Sequence, residues 1–402
     1  MAKPLEEIKI LELTLALSAP FGIMILCDLG AEVIKVEKVD GGDISRQNAP
    51  IINGVSLYFY SINRGKKSVA LNLKTPEGKA LFLDLVKQAD VVVENFVPGT
   101  MDRLGLGYEI LRKQNPRLIY AACSGFGQTG PYHEKPAVDI IVQGMGGIMS
   151  ITGEEDGPPV RPGASLGDIA AGLFLSIGIL SALIERDRSG KGQMIDVSML
   201  DCQVAILENA FIRYLNTGEV PQRIGTRHPL VTPFQAFQTK DGYIVVSAAG
   251  KIDQWALFTE MIGRPHLLSD ERFEDRTSRT KHHKVLEPIL AEALQEKTTN
   301  EWLSIFESIG IPCGPLNTIP ETAADPQVLH RDMFVAVPDN RLGEVKICNT
   351  PIKLSRTPAN VEHGAPDLGE HTRKVLSEWL GLQIAQLKSF EDKKVIGSSV
   401  ET

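Results

Sequence analysis

A chain of 402 residues, 43% hydrophobic and 23% charged, is long enough for a sizeable core and for two domains. Its formal net charge of -8, with acidic and basic residues interspersed and no basic block, argues against nucleic acid or a membrane surface as its partner. Five scattered cysteines (Cys27, Cys123, Cys202, Cys313, Cys348) without a CxxC read as apolar thiols of a reducing compartment, and "MAKPLEEIKILEL" lacks a signal-peptide core, so a cytoplasmic protein is expected.

The first third alternates strands and helices. "IKILEL" (8–13) has strand length, "APFGIMILCDLGA" (19–31) has helical spacing, and "EVIKVE" (32–37) alternates as a strand does. "SVALNL" follows, then a helix through "TPEGKALFLDLVKQA", opened by Thr75 with Pro76 at its first position. "DVVVENF", the helical "GTMDRLGLGYEILRKQ" and "RLIYAACSGFG" complete the set. Such alternation predicts an α/β fold whose mainly parallel, Rossmann-like sheet is covered by helices. The apolar run 169–184 falls short of the roughly 20 residues that cross a bilayer. With Gly172, Ser176, Gly178 and Ser181 it reads as a buried helix with small-residue contact faces. Near 225 the texture changes: "TPFQAFQTKDGYIVVSAAG" carries a turn signal between β-rich runs, and a polar helical stretch follows, as in a smaller α+β domain. The tail "EDKKVIGSSVET" is expected to fray.

Several chemistries are weak here. The β-α-β opening has the outline of a dinucleotide site, yet "TLALSAPFGIMILCDLGA" has no G-x-G-x-x-G to admit a pyrophosphate. No H-E-x-x-H occurs, and no metal site is expected. His282 and His283 sit in the polar "TKHHK" and read as a solvated helix face; His228, in "GTRHP", lies near the expected domain junction. Asp168, in "GASLGDIAAG" (163–172), stands out. Before an apolar run it reads as a helix N-cap. The same setting suits a nucleophile: amide groups and the helix dipole favour the ionised carboxylate, small neighbours admit a ligand, and an ionised carboxylate needs no general base.

At this point the chain resembles the class III CoA-transferases, the family of formyl-CoA transferase and carnitine CoA-transferase that also holds α-methylacyl-CoA racemases. The likeness rests on "LGAEVIKVEKVDGGD", "LNLKTPEGK", "DVVVENFVPGTMDRLGLG", "GDIAAG", "RHPLVTPFQAFQTKDG" and "GIPCGPLNT", in that order. It implies a large CoA-binding domain from both chain ends (1–224 and 330–402), a small α+β domain (225–329) and an interlocked dimer, homodimeric or with a homologous second subunit. Asp168 matches the family's nucleophile, which passes through aspartyl anhydride and aspartyl-CoA thioester stages. Such intermediates need a site that excludes water and stabilises oxyanions. For CoA, the resemblance points to Lys38, Leu71, Asn72, Leu73, Lys74, Asn95, Phe96, Arg103 and Lys135. For the substrate loop it points to Ala248, Ala249 and Gly250; this loop lacks the glycine run of formyl-CoA transferase, which argues against that substrate pair.

The expected activity is transfer of CoA from an acyl-CoA, with succinyl-CoA as donor, to an organic acid. CoA thioesters are then substrates, and no tightly bound cofactor is expected. Two alternatives stay open. An acyl-CoA racemase on the same fold needs acid and base groups on two sides of an α-carbon; its branch carries histidine where this chain has Val138, before Asp139, and valine cannot exchange a proton. A subunit of a hetero-oligomeric transferase is the other.

Overall fold

The computed structural model describes residues 3–249 and 252–398. Short, mostly buried runs form the parallel strands β1 (Lys9–Leu13), β2 (Glu32–Glu37), β3 (Lys67–Leu71), β4 (Val91–Glu94) and β5 (Ile119–Ser124), with the more exposed β6 (Met194–Ser198) at one edge. Their order is β3-β2-β1-β4-β5-β6, with Ile10 opposite both Val33 and Val91. The connecting helices that matter below are α1 (Ser18–Asp28), α2 (Pro76–Val86), α3 (Asp139–Met145) and α4 (Leu166–Ser189).

Both faces of the sheet are covered, as the alternation predicts. On one, Leu11, Leu13, Val92 and Tyr120 pack with Phe82 and Leu85 of α2 and with Trp379 near the C-terminus. On the other, Ile10, Val33, Val91 and Ile119 pack with Ile23 and Leu26 of α1 and with Ala171, Leu175 and Ile179 of α4. Thr75 caps α2, accepting from the Gly78 amide, and Pro76 occupies the first turn.

Small residues set the α1–α4 packing. A Cβ on Gly22 would lie 2.3 Å from the Gly172 carbonyl oxygen, and one on Gly172 would lie 2.5 Å from that of Ser18. Ser176 Oγ donates to the Gly22 oxygen at 2.9 Å. Ser18 thus faces Gly172 as Gly22 faces Ser176, so the helices run parallel and their N-termini share one end.

Two expectations need correction. The apolar run is not fully buried: α4 is 24 residues long, and Leu173, Phe174, Ile177 and Ile184 on its outer face are 40–59% exposed. Its most apolar window has a mean hydropathy of 2.0, long and apolar enough to cross a membrane by those measures, while half that window is buried inside the protein. The tail does not fray where it meets the sheet. Ile396–Gly397 pairs antiparallel with β3, because Val395 and Ile396 are apolar and fill its edge at 2% exposure each.

The chain divides into two units. The first comprises Met1–Ile148, Arg161–Gly218 and His330–Thr402, and the second Met149–Val160 and Glu219–Leu329. The first also holds a hairpin of β10 (Phe334–Asp339) and β11 (Gly343–Cys348), packed with Phe59 and Tyr60. In the second, β7 (Phe234–Gln238), β8 (Tyr243–Ser247) and β9 (Cys313–Pro315) form an antiparallel sheet. Phe237, Ile244, Phe258, Leu290, Trp302 and Phe306 make its separate α+β core.

Candidate active site

In this strand order the direction of succession reverses between β1 and β4, and the carboxyl edge there is where α/β sheets bind ligands. The loop leaving β1 is held on several sides. Asn95, just past β4, accepts from the Leu15 amide and donates to its carbonyl, both at 2.8 Å. Asp43 accepts from the Ala16 amide at 3.2 Å, and Ala16 takes the left-handed φ of 62°. Lys35 Nζ donates to the Thr14 oxygen at 2.8 Å and pairs with Asp43 at 2.9 Å. Lys66 pairs with Glu12 at 2.9 Å and donates to the Pro20 oxygen at 3.1 Å. Burial would push the Asp43 carboxyl up, but the Lys35 charge and the Ser45 donors hold it below its usual range.

Asp168 sits in the first turn of α4 and does not cap it. Asp139 does: its Oδ1 accepts from the amides of Gly167 at 2.9 Å and Asp168 at 3.4 Å. Its Oδ2 accepts from Gln143 at 2.7 Å and from Arg161 Nη2 at 2.8 Å. The Asp168 carboxylate is thus left without a hydrogen-bond donor among the described residues. Burial first, and the Asp139 charge second, push it up to about 7, with Arg161 acting against them. This corrects the expectation of a fully ionised group, because the donors that would have favoured the anion are spent on Asp139. Tyr58 faces the same charges: burial, then Asp168, Asp43 and Asp139, raise its phenol.

Most of the residues that the resemblance assigns to CoA follow strand ends. Lys38 follows β2, Leu71 ends β3 with Asn72, Leu73 and Lys74 after it, and Asn95 and Phe96 follow β4, all at the carboxyl edge. Lys38 and Lys74 are exposed. The Leu71 side chain is 2% exposed in the core, and the Asn72 amide donates to the Val395 oxygen at 2.8 Å, so the C-terminal strand occupies part of this segment. Phe96 donates its amide to Glu94 at 2.8 Å, and burial pushes the Glu94 carboxyl up to about 7. Arg103 is exposed beyond β4, and Lys135, after β5, lies 3.9 Å from the Tyr132 ring centroid.

In the second unit, Ala248 and Ala249 are buried just after β8, and Gly250 lies outside the described residues. His228 orders its own loop: its ring stacks on Phe234 at 5.1 Å and its Nδ1 accepts from the Leu230 amide. His283 is half-buried, which with the Arg227 charge lowers its pKa, so "TKHHK" is not a fully solvated face.

Asp139 entered the sequence reading as a register mark beside Val138, and Arg161, Gln143 and Tyr58 did not enter it. Arg161 and Gly167 stand 22 and 28 positions from Asp139, beyond any local pattern.

Comparison with known proteins identifies the family. The family described as CoA-transferase family III matches residues 5–372. The chain is 41% identical to the succinyl-CoA:glutarate CoA-transferase of Mus musculus, over 94% of this chain and 87% of the relative. It is 43% identical to the acetyl-CoA:oxalate CoA-transferase of Acetobacter aceti, over 94% and 96%. It is 38% identical to the succinyl-CoA–D-citramalate CoA-transferase of Chloroflexus aurantiacus, over 98% of each. A solved CaiB/BaiF family protein from Brucella suis matches with a TM-score of 0.84 and 39% identity, over 94% of this chain and all of that one. The chain belongs to CoA-transferase family III.

Proposed function

We propose that the protein moves CoA from succinyl-CoA to a short dicarboxylic acid, with Asp168 as the nucleophile. The Asp168 carboxylate attacks the donor thioester, forming a mixed anhydride and expelling CoA thiolate. The thiolate attacks the aspartyl carbonyl, giving an aspartyl-CoA thioester and releasing succinate. The acceptor carboxylate attacks that thioester, giving a second anhydride and thiolate. The thiolate then takes the acceptor's acyl group, and Asp168 is returned as a carboxylate.

The observation that carries this reading is a nucleophilic carboxylate with its hydrogen-bonding positions open, at the sheet edge where ligands bind, while Asp139 performs the capping. Burial supplies the dry setting that the anhydride and thioester need. At the neighbouring N-terminus, α1 starts without a side-chain cap, which leaves its first turn oriented toward negative charge. Succinyl-CoA and dicarboxylic acids are supported by the names of the relatives, whose acids are glutarate, oxalate and D-citramalate. The exposed apolar face of α4 supports self-association as well.

The test is direct. The protein is incubated with succinyl-CoA and, in turn, glutarate, mesaconate, D-citramalate, oxalate or a monocarboxylic acid, and new acyl-CoA is read by mass spectrometry. A dicarboxyl-CoA formed with release of succinate supports the reading. Failure to move CoA to any dicarboxylic acid overturns it.

A further inference from the structure

We propose that Arg161 binds the remote carboxylate of the dicarboxylic acceptor and so selects dicarboxylic over monocarboxylic acids; this rests on the dicarboxylate reading above. The need for a cation follows from the charges around the nucleophile. Asp168, Asp139 and Asp43 all act on Tyr58. A dicarboxylate that brings one carboxylate to the Asp168 centre carries a second charge into the same surroundings, and like charges repel.

Several other cations of this unit are committed. Lys35 and Lys66 are fully buried and paired with Asp43 and Glu12. Arg46 is paired with Glu37, and Arg64 with Asp28. Arg161 differs in three ways. Its charge opposes the upward push on the Asp168 carboxyl, so it lies within electrostatic reach of the nucleophile. It is anchored through one side of its fork: Nε and Nη2 reach Asp139 Oδ2 at 3.2 and 2.8 Å, and Nη2 reaches Ser165 Oγ at 2.8 Å. Among the described residues nothing accepts from Nη1, and the side chain is 34% exposed.

These bonds fix the guanidinium plane while leaving a donor edge open to solvent. Asp139, which holds one side of the fork, also holds the Asp168 amide, so the open edge is one carboxylate away from the nucleophile's backbone. With Nε and Nη2 engaged, the two Nη1 hydrogens remain to make a charge-assisted bond to a second carboxylate. Arg161 acts in this account as a specificity-determining residue that touches substrate.

A purely structural Arg161, holding Asp139 and no more, predicts something different. Kinetics with succinyl-CoA and either glutarate or glutaramate, its isosteric monoamide, compare wild type, Arg161→Lys and Arg161→Gln. The ratio of kcat/KM for the two acceptors cancels any change in the donor step. We expect that ratio to fall about 10- to 100-fold in Arg161→Gln, through the KM for glutarate, as the loss of a charge-assisted bond implies. Arg161→Lys should fall between, because the charge is kept while the planar guanidinium that anchors it on Asp139 and Ser165 is lost. Should Arg161→Gln fail to fold, the Lys variant alone carries the test through the same ratio. A ratio unchanged in the folded variants, with both acceptors losing equally, overturns the proposal while leaving the dicarboxylate reading standing. No preference for glutarate over glutaramate in the wild type also overturns the proposal, whereas the dicarboxylate reading falls only if no dicarboxylic acid accepts CoA.

Discussion

Asp139 caps the helix that carries Asp168, with its Oδ1 2.9 Å from the Gly167 amide nitrogen and 3.4 Å from that of Asp168. An aspartate at the N-cap position would spend its oxygens on those amides. Supplying the cap from α3 separates two duties that one residue cannot perform together: securing the helix, and keeping a carboxylate available for attack. The second carboxylate also raises the first one's pKa, so the helix is secured at a cost in ionised Asp168 near neutral pH.

The pH dependence of the first half-reaction follows. In the proposed cycle attack requires ionised Asp168, whose carboxyl is pushed up to about 7, so acylation should fall as pH drops through that value. Asp139→Asn keeps an oxygen for the cap and removes the like charge, so the acid limb should move down by roughly one unit. Glu94 also titrates at about 7, and Glu94→Gln should leave the limb in place. Single-turnover kinetics across pH 5–9 reads all three; a limb that disappears with Glu94 assigns it to the wrong carboxylate.

Stability should show the opposite face of the same shift. The folded-state pKa of Asp168 is raised, so its contribution is fully present below the unfolded value near 3.8 and is lost as pH rises through about 7. Asp168→Asn should therefore be more stable than wild type at pH 8, by on the order of a few kcal/mol, with the difference shrinking toward pH 5. Urea melts at the two pH values decide it. Equal differences at both would mean that Asp168 is not destabilised by its surroundings.

The close approach of α1 and α4 is a further point of failure. In Gly172→Ala the added Cβ meets the Ser18 oxygen and the Gly22 amide, both backbone atoms that cannot swing away. We expect a loss of about 1–3 kcal/mol and a fall in kcat, since Asp168 lies one turn before the clash. A variant with wild-type stability and activity would show that the helices can part freely.

The buried pair beneath the β1 loop gives a third kind of test. Lys35→Met leaves Asp43 without its partner in a fully buried site and should cost about 3–5 kcal/mol. Lys35→Met with Asp43→Asn should recover part of that loss, because no buried charge is then stranded. A double variant less stable than the single one would contradict the assignment of Lys35 and Asp43 as a mutually dependent pair.

The strands and the sheet type were legible because "IKILEL", "EVIKVE" and "DVVVENF" are apolar runs of strand length with helical spacing between them. Asp168 stood out for its setting among small residues. Its true relation to the helix was not legible, since the capping residue stands 28 positions from Gly167 and only tertiary folding brings them together. The outer face of α4 was misread for another reason: Leu173, Phe174 and Ile177 are as apolar as core residues, and hydrophobicity alone does not distinguish a core from a surface. The last strand hid in a polar tail, where Val395 and Ile396 were too short a signal to outweigh their neighbours.

The central claim is that the Asp168 carboxylate carries the acyl group and then CoA. Protein incubated with succinyl-CoA is quenched with hydroxylamine or borohydride, digested, and its peptides sequenced by mass spectrometry. A hydroxamate or a reduced side chain is expected at Asp168 in the wild type, none in Asp168→Asn, with loss of CoA transfer in that variant. An enzyme that turns over with no adduct at Asp168, or an Asp168→Asn variant with full activity, would contradict it.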